Sequence, residues 1–230
     1  MKAWKAGCCS QCPRVRIGEI LLHWQQLTGA TLEGRLLEKS LNLLEGADIQ
    51  FRRESRLDIA LVKNLPIALV FLPAADIPTF VGEGRVDLGI TGKDQVAEHD
   101  AGVAALARER AESGKSTPSG EGPTQGGVEE VLDLEFGACL LQVQVPVKGQ
   151  YQTPSDLIGK NIGTSFVHLA EDYFAGLEKQ ADAATDGQLA PKRKLRTKII
   201  ELSGSVEAAC ALGVADGIVD LVGMTSSTPE

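Results

Sequence analysis

The sequence predicts an α/β fold, on three observations. Short apolar runs recur along the chain, each bounded by proline, glycine or charge, as in Leu57–Val62, Ile67–Leu72, Val86–Thr91, Asn161–Thr164 and Thr197–Leu202. Longer stretches with apolar residues at helical spacing separate most of them. Small or acidic residues stand where strand gives way to helix. Alternation of this kind implies mixed, largely parallel sheets covered on both faces. The expected organisation is an atypical N-terminal segment over 1–30, a first α/β lobe over 31–103 and a second over 104–230. A disordered insertion is expected at about 111–128, and a ligand cleft between the lobes.

The elements follow in order. Arg35 opens a helical segment running to Leu44, with Gly46 as its stop. Leu57–Val62 and Ile67–Leu72 read as strands joined by the turn Lys63-Asn-Leu-Pro66. Ala74–Val81 reads as a helix. Asp76 stands at its start, where a carboxylate favours the dipole, and Pro78 in its first turn, where the missing N–H costs nothing. Val86–Thr91 is a strand, and Gly92 to Glu98 opens the next helix. Ser113–Gly127 is too polar and glycine-rich to contribute core. Its Gly114-Lys-Ser-Thr lacks the upstream glycine and apolar strand of a nucleotide loop. Ala138–Val147 resumes as a strand, Pro154-Ser-Asp-Leu starts a helix, and Asn161–Thr164 is a strand with Ser165 at its exit. Val167–Lys179 carries Leu169, Tyr173, Phe174 and Leu177 at helical spacing. Thr197–Leu202 then feeds Ser203-Gly-Ser-Val-Glu207, and a last helix-then-strand unit ends at Asp220-Leu-Val222.

Composition narrows the classes of function. A chain of 230 residues with 43% hydrophobic content can bury roughly 70% of its unfolded surface. No apolar run approaches the roughly 20 residues that cross a bilayer, and no secretory signal is read at the start, so neither a membrane nor export is expected. The net charge of −8 argues against a general nucleic-acid surface and favours small-molecule partners. Five cysteines fit a reducing, cytoplasmic setting. Cys139 and Cys210 read as small buried hydrophobes. Cys8, Cys9 and Cys12 have the spacing of half a zinc site, but no second pair or histidine follows, so a reducible N-terminus is the simpler reading. His23, His99 and His168 have no partner at a telling spacing, and no Ser-His-Asp or Cys-His set stands out.

Four joints put small or charged groups at the carboxyl ends of strands, the edge where open α/β sheets bind ligands: Ala74–Asp76, Thr91-Gly92, Thr164-Ser165 and Ser203–Glu207. Backbone N–H groups there suit an anion, although Ser and Thr also serve as plain helix caps. Four joints together favour a phosphorylated ligand. Asp216 and Asp220 flank Ile218 on one face of a strand. Beside a phosphate pocket such carboxylates bind ribose hydroxyls or Mg2+; otherwise they face solvent. Arg35 suits bidentate phosphate recognition, with a surface arginine as the alternative.

Arg56-Leu-Asp-Ile-Ala, Phe71-Leu-Pro-Ala-Ala-Asp-Ile-Pro78, Gly84-Arg-Val-Asp-Leu-Gly-Ile-Thr-Gly92, Leu134-Glu-Phe-Gly-Ala-Cys139, Gly163-Thr-Ser-Phe166 and Gly204-Ser-Val-Glu207 to Leu221-Val222 together carry a family resemblance. The sequence resembles the ATP phosphoribosyltransferases of histidine biosynthesis, the long, eukaryotic-type form most closely. The resemblance implies two lobes like those of periplasmic binding proteins, a C-terminal regulatory domain in the long form, and a homo-oligomer. It implies transfer of phosphoribosyl from phosphoribosyl pyrophosphate to N1 of ATP with release of diphosphate, a step requiring Mg2+. Such chemistry needs alignment and charge stabilisation more than an acid or base. By motif, Arg35 would touch phosphate, Asp76, Thr91 and Gly92 would line the cleft, and Ser205, Glu207, Asp216 and Asp220 would approach the phosphoribosyl group; Ser165 joins them from its strand exit. Three departures accompany the resemblance. Thr31-Leu-Glu-Gly-Arg35 keeps the glycine and arginine of the family's Pro-Lys-Gly-Arg-like turn without its lysine, and Met1–Gln26 shows no likeness. Gly223-Met-Thr-Ser-Ser-Thr-Pro-Glu230 stands where the family has a Ser/Thr-Gly-x-Thr phosphate loop. The expectation is a truncated member lacking the regulatory domain, and the alternative a non-catalytic nucleotide-binding module or inactive fragment.

Overall fold

Two sheets organise the computed structural model, which describes residues 2–6, 25–29, 37–52, 58–113, 127–147, 149–186 and 195–223. They belong to two compact units, Met1–Ala138 and Cys139–Glu230. The first unit runs β1 (Lys2–Ala6), β2 (Gln25–Gly29), α1 (Leu37–Gly46), β3 (Ile59–Leu61), β4 (Ile67–Phe71), α2 (Ile77–Gly82), β5 (Leu88–Thr91), α3 (Lys93–Ser113) and β6 (Val128–Asp133). Its strands lie in the order β3-β4-β2-β5-β1-β6. The second unit holds β7 (Cys139–Gln144), a 3-10 turn (Pro154–Leu157), β8 (Asn161–Thr164), α4 (Val167–Asp186), β9 (Lys198–Glu201), α5 (Ala208–Ala211) and β10 (Gly217–Gly223), with strand order β7-β10-β8-β9. The change of unit falls at Ala138/Cys139, and the stretch between it and Val103 contains about half of α3 and all of β6.

The fold is mixed α/β, with its parallel pairs around β2 in the first sheet and β8 in the second. β4 and β5 run parallel to β2 in the first sheet, and β10 and β9 run parallel to β8 in the second. The first sheet is less parallel than the alternation of elements implies, because β3–β4, β1–β5 and β1–β6 are antiparallel. For β3 and β4 the reason is the connection: Lys63–Pro66 is a tight turn, and only antiparallel neighbours can be joined so briefly.

Each sheet buries both faces. Leu44 of α1 packs with Ala60, Val62, Leu69, Phe71 and Ile90 on one face of the first sheet. Ile77 and Val81 of α2 pack on the other, and Gly89 is what admits them, since a Cβ there would overlap both side chains. In the second unit α4 brings Ala170 and Phe174 onto Leu157, Ile162 and Val219. The neighbouring Ile218 points to the opposite face and meets Val206, Ala209 and Ala215 around α5.

Two departures from the sequence-based elements concern the polar stretch. Residues 111–113 complete α3 rather than beginning an insertion, and Val128 starts a strand; 114–126 lie outside the described residues. Cys8, Cys9 and Cys12 lie outside them as well. No helix among the described residues is long and apolar enough to cross a membrane.

Candidate functional site

In the second unit the parallel strands β8 and β9 end side by side, and β10 runs on past them to Gly223 against β7. Thr164 of β8 registers with Glu201 of β9 and with Val219 of β10. One residue further on, the three chains deliver Ser165, Leu202 and Asp220 to a common edge. Ser165 is exposed in the turn before α4, and Leu202 leads into the exposed Ser203-Gly204-Ser205. Ser205 has φ +46°, a left-handed conformation that costs a non-glycine residue about 1–2 kcal/mol and persists where the surroundings over-determine it. Glu207 occupies the N-cap position of α5 with no side-chain cap hydrogen bond and stays exposed. The Asp220 carboxylate accepts the Leu221 N–H at 2.7 Å. This edge therefore presents hydroxyls, strand-exit N–H groups and carboxylates, the chemistry that meets a phosphorylated sugar. The sequence reading missed Gln142, which lies directly opposite Asp220 on β7 and is exposed. Cross-strand partners share a face, but no local signal in β7 marks that register.

Asp216 is not with this group. It lies just before β10, four residues and roughly 13 Å upstream of Asp220 along the strand. The two carboxylates thus share the parity of Ile218 but lie at opposite ends of β8. Asp216 accepts the Asn161 N–H at 3.0 Å and the Tyr151 hydroxyl at 2.9 Å, while its own N–H donates to the Asn161 carbonyl at 2.8 Å. The Asn161 N–H, then the Tyr151 hydroxyl and the nearby Lys160 charge hold its carboxyl below the usual range despite partial burial. This is a structural latch between β8 and β10. The same carboxylate and, above all, burial push the Cys210 thiol up.

A second carboxylate secures the entry to β9. Glu178 of α4, 8% exposed, accepts the Arg196 N–H at 3.0 Å, the Thr197 N–H at 2.9 Å and the Thr197 hydroxyl at 2.7 Å. The Arg196 guanidinium reaches Glu178 at 3.4 Å and Asp182 at 2.9 Å. Burial alone would raise the Glu178 carboxyl, but these donors outweigh it and hold the group below the ordinary glutamate value.

The first unit brings two of the predicted joints together at the carboxyl ends of β4 and β5. The buried Thr91 hydroxyl donates to the Ala74 carbonyl at 3.0 Å, tying the turn that holds Asp76 to the exit of β5. Asp76 sits at the N-cap position of α2, exposed and without a side-chain cap hydrogen bond. Pro78 lies in the first turn as the sequence implies. Gly92 is close enough to the Asp94 carboxylate that an added Cβ would collide with it. Arg35 lies outside the described residues, between β2 and α1.

The ATP phosphoribosyltransferase family model matches residues 73–228, which include every described joint above. The chain belongs to the ATP phosphoribosyltransferase family. It is 55% identical over 190 residues to the ATP phosphoribosyltransferase of Yarrowia lipolytica and 52% identical to that of Saccharomyces cerevisiae, in each case across 83% of this chain. The chain spans about half the length of these curated relatives, 52% of each. Among solved structures, the ATP phosphoribosyl transferase (HisG:HisZ) complex from Thermotoga maritima shares the fold, with a TM-score of 0.53 at 21% identity over 87% of this chain and 75% of that one.

Members of this family are expected to use Mg2+ by the resemblance above. Among the described residues no three His, Cys, Asp or Glu side chains gather into a ligand set.

Proposed function

We propose that this chain carries the phosphoribosyl-binding part of an ATP phosphoribosyltransferase, which joins ATP to phosphoribosyl pyrophosphate and releases diphosphate. The observation that carries the reading is the family match over 73–228, because it spans the strand ends that gather Ser165, Ser205, Glu207 and Asp220. In this reading, the carboxylates of Asp220 and Glu207 hold the ribose hydroxyls. Ser165, Ser205 and the N–H groups of their turns donate hydrogen bonds to phosphate oxygens. Asp76, Thr91 and Gly92 belong to the ATP side and Arg35 to a phosphate. Mg2+, when bound with the substrate, would supply neutralisation of charge on the diphosphate. Adenine N1 bonds to the anomeric carbon as the bond from that carbon to diphosphate breaks and diphosphate leaves with the electron pair. The protein's contribution is alignment and fixed dipoles, worth several orders of magnitude without any acid or base.

The two units are then the two lobes of a fold like that of periplasmic binding proteins, in a cytoplasmic enzyme that assembles with copies of itself. The test is formation of phosphoribosyl-ATP by the purified chain with ATP, phosphoribosyl pyrophosphate and Mg2+, beside Arg35→Ala. Product that falls with the substitution is expected. A folded chain that forms none would show that the chemistry needs more than this stretch, and nucleotide affinity without diphosphate release would favour a non-catalytic module.

A further inference from the structure

We infer that Thr164 is the positioning residue of the substrate edge, a role that rests on reading that edge as the phosphoribosyl pyrophosphate site. Its side chain is wholly buried, at 0% exposure. The hydroxyl donates to the Val219 carbonyl at 2.7 Å and accepts the Phe166 N–H at 2.9 Å. The main-chain carbonyl of Thr164 accepts the Leu202 N–H at 2.9 Å. Two partners adjoin a residue assigned to the substrate, Val219 preceding Asp220 and Phe166 following Ser165, and Leu202 opens the turn that leads to Ser205 and Glu207. One residue thus ties together the exits of β8 and β9 and the strand β10 that passes beside them.

What is particular to threonine here is the hydroxyl, since any residue supplies the carbonyl. A hydroxyl that merely capped α4 would need only the local bond to Phe166, two residues on, which satisfies one of the N–H groups a helix start leaves unpaired. The second bond, to a carbonyl 55 residues away, does nothing for the cap. It joins the turn carrying Ser165 to the strand carrying Asp220, where the strand ladder has already ended with the Thr164–Val219 pair. The hydroxyl spends its one proton on Val219 and a lone pair on Phe166, so the link is fixed in direction. Thr91 uses the same device in the first unit, where its buried hydroxyl reaches the Ala74 carbonyl and joins the exits of β4 and β5.

The experiment compares Thr164→Val, which keeps the shape and removes the hydroxyl, with Thr164→Ser, which keeps the hydroxyl and removes the methyl. Mg2+–phosphoribosyl pyrophosphate is titrated into parent and variants by calorimetry, each at a temperature well below its own unfolding midpoint. The valine variant is expected to bind about tenfold or more weakly, as misplacing a binding group by a fraction of an ångström costs, and the serine variant to stay within about threefold of the parent. Parent-like affinity in the valine variant would overturn the proposal, and so would equal losses in both, which would assign the effect to packing. A parent that does not bind would overturn the reading of the edge and the proposal with it, whereas a binding parent with an unaffected valine variant overturns the proposal alone. Should Thr164→Val not fold, amide hydrogen exchange in the parent decides: Phe166 and Leu221 are expected to gain protection together on ligand binding, and an unchanged Phe166 contradicts the role.

Discussion

At the scale of single residues, Glu178 and Asp216 are acidic side chains of the second unit that hold the structure. Changing Glu178 to Gln keeps the shape but turns one acceptor into a donor facing N–H and O–H groups, so the chain should lose about 2–3 kcal/mol in urea unfolding. Asp216 is also structural, and its effect depends on pH. Its folded-state carboxyl titrates below the unfolded one, so its stabilising contribution is complete above the ordinary aspartate range and disappears as pH falls through the lowered folded value. Asp216→Asn should therefore flatten the acid limb of the stability curve, and a variant with the parent's acid dependence would refute the latch. The sequence brought Asp216 and Asp220 together by parity alone. Period-2 spacing reports the face of a strand and says nothing about which end of it a residue occupies, and only the register with β8 separates them.

At the scale of elements, most of the strands and helices were legible because their apolar runs are buried on both faces, as in β4, β8 and α4. β6 was not, since Glu129, Glu130 and Asp133 interrupt its pattern and most of the strand is exposed at the sheet margin. Nor were β1 and β2, whose sequences carry no run of that kind. The joints at β4, β5, β8 and β9 were visible in the residue types, but the hydrogen bonds of Thr91 and Thr164 that couple them were not, because each links positions far apart in the chain. Contact between α2 and β5 depends on a missing side chain at Gly89. Gly89→Ala should cost about 1–3 kcal/mol by pressing on Ile77 and Val81, measurable as a lowered urea midpoint at unchanged slope. Ser205→Val should likewise destabilise by about 1–2 kcal/mol, because a branched side chain tolerates positive φ poorly, whereas Ser205→Gly should be accepted.

At the scale of the whole molecule, two sheets of different size share one plan: an inner strand with parallel neighbours, helices on both faces, and polar joints gathered where the parallel strands end. The family model matches residues 73–228, and the chain spans about half the length of its curated relatives. A hydrogen bond between a charged group and its partner is worth about 1.5–3 kcal/mol, so a carboxylate that holds the ribose hydroxyls should contribute more than tenfold to affinity. The most direct test is calorimetric titration of Mg2+–phosphoribosyl pyrophosphate into the chain and into Asp220→Asn. Saturable binding by the parent at one site, weakened more than tenfold in the variant while its unfolding midpoint stays within a few degrees, is the predicted result. Equal affinity in the two folded proteins would contradict the assignment of this edge to the substrate.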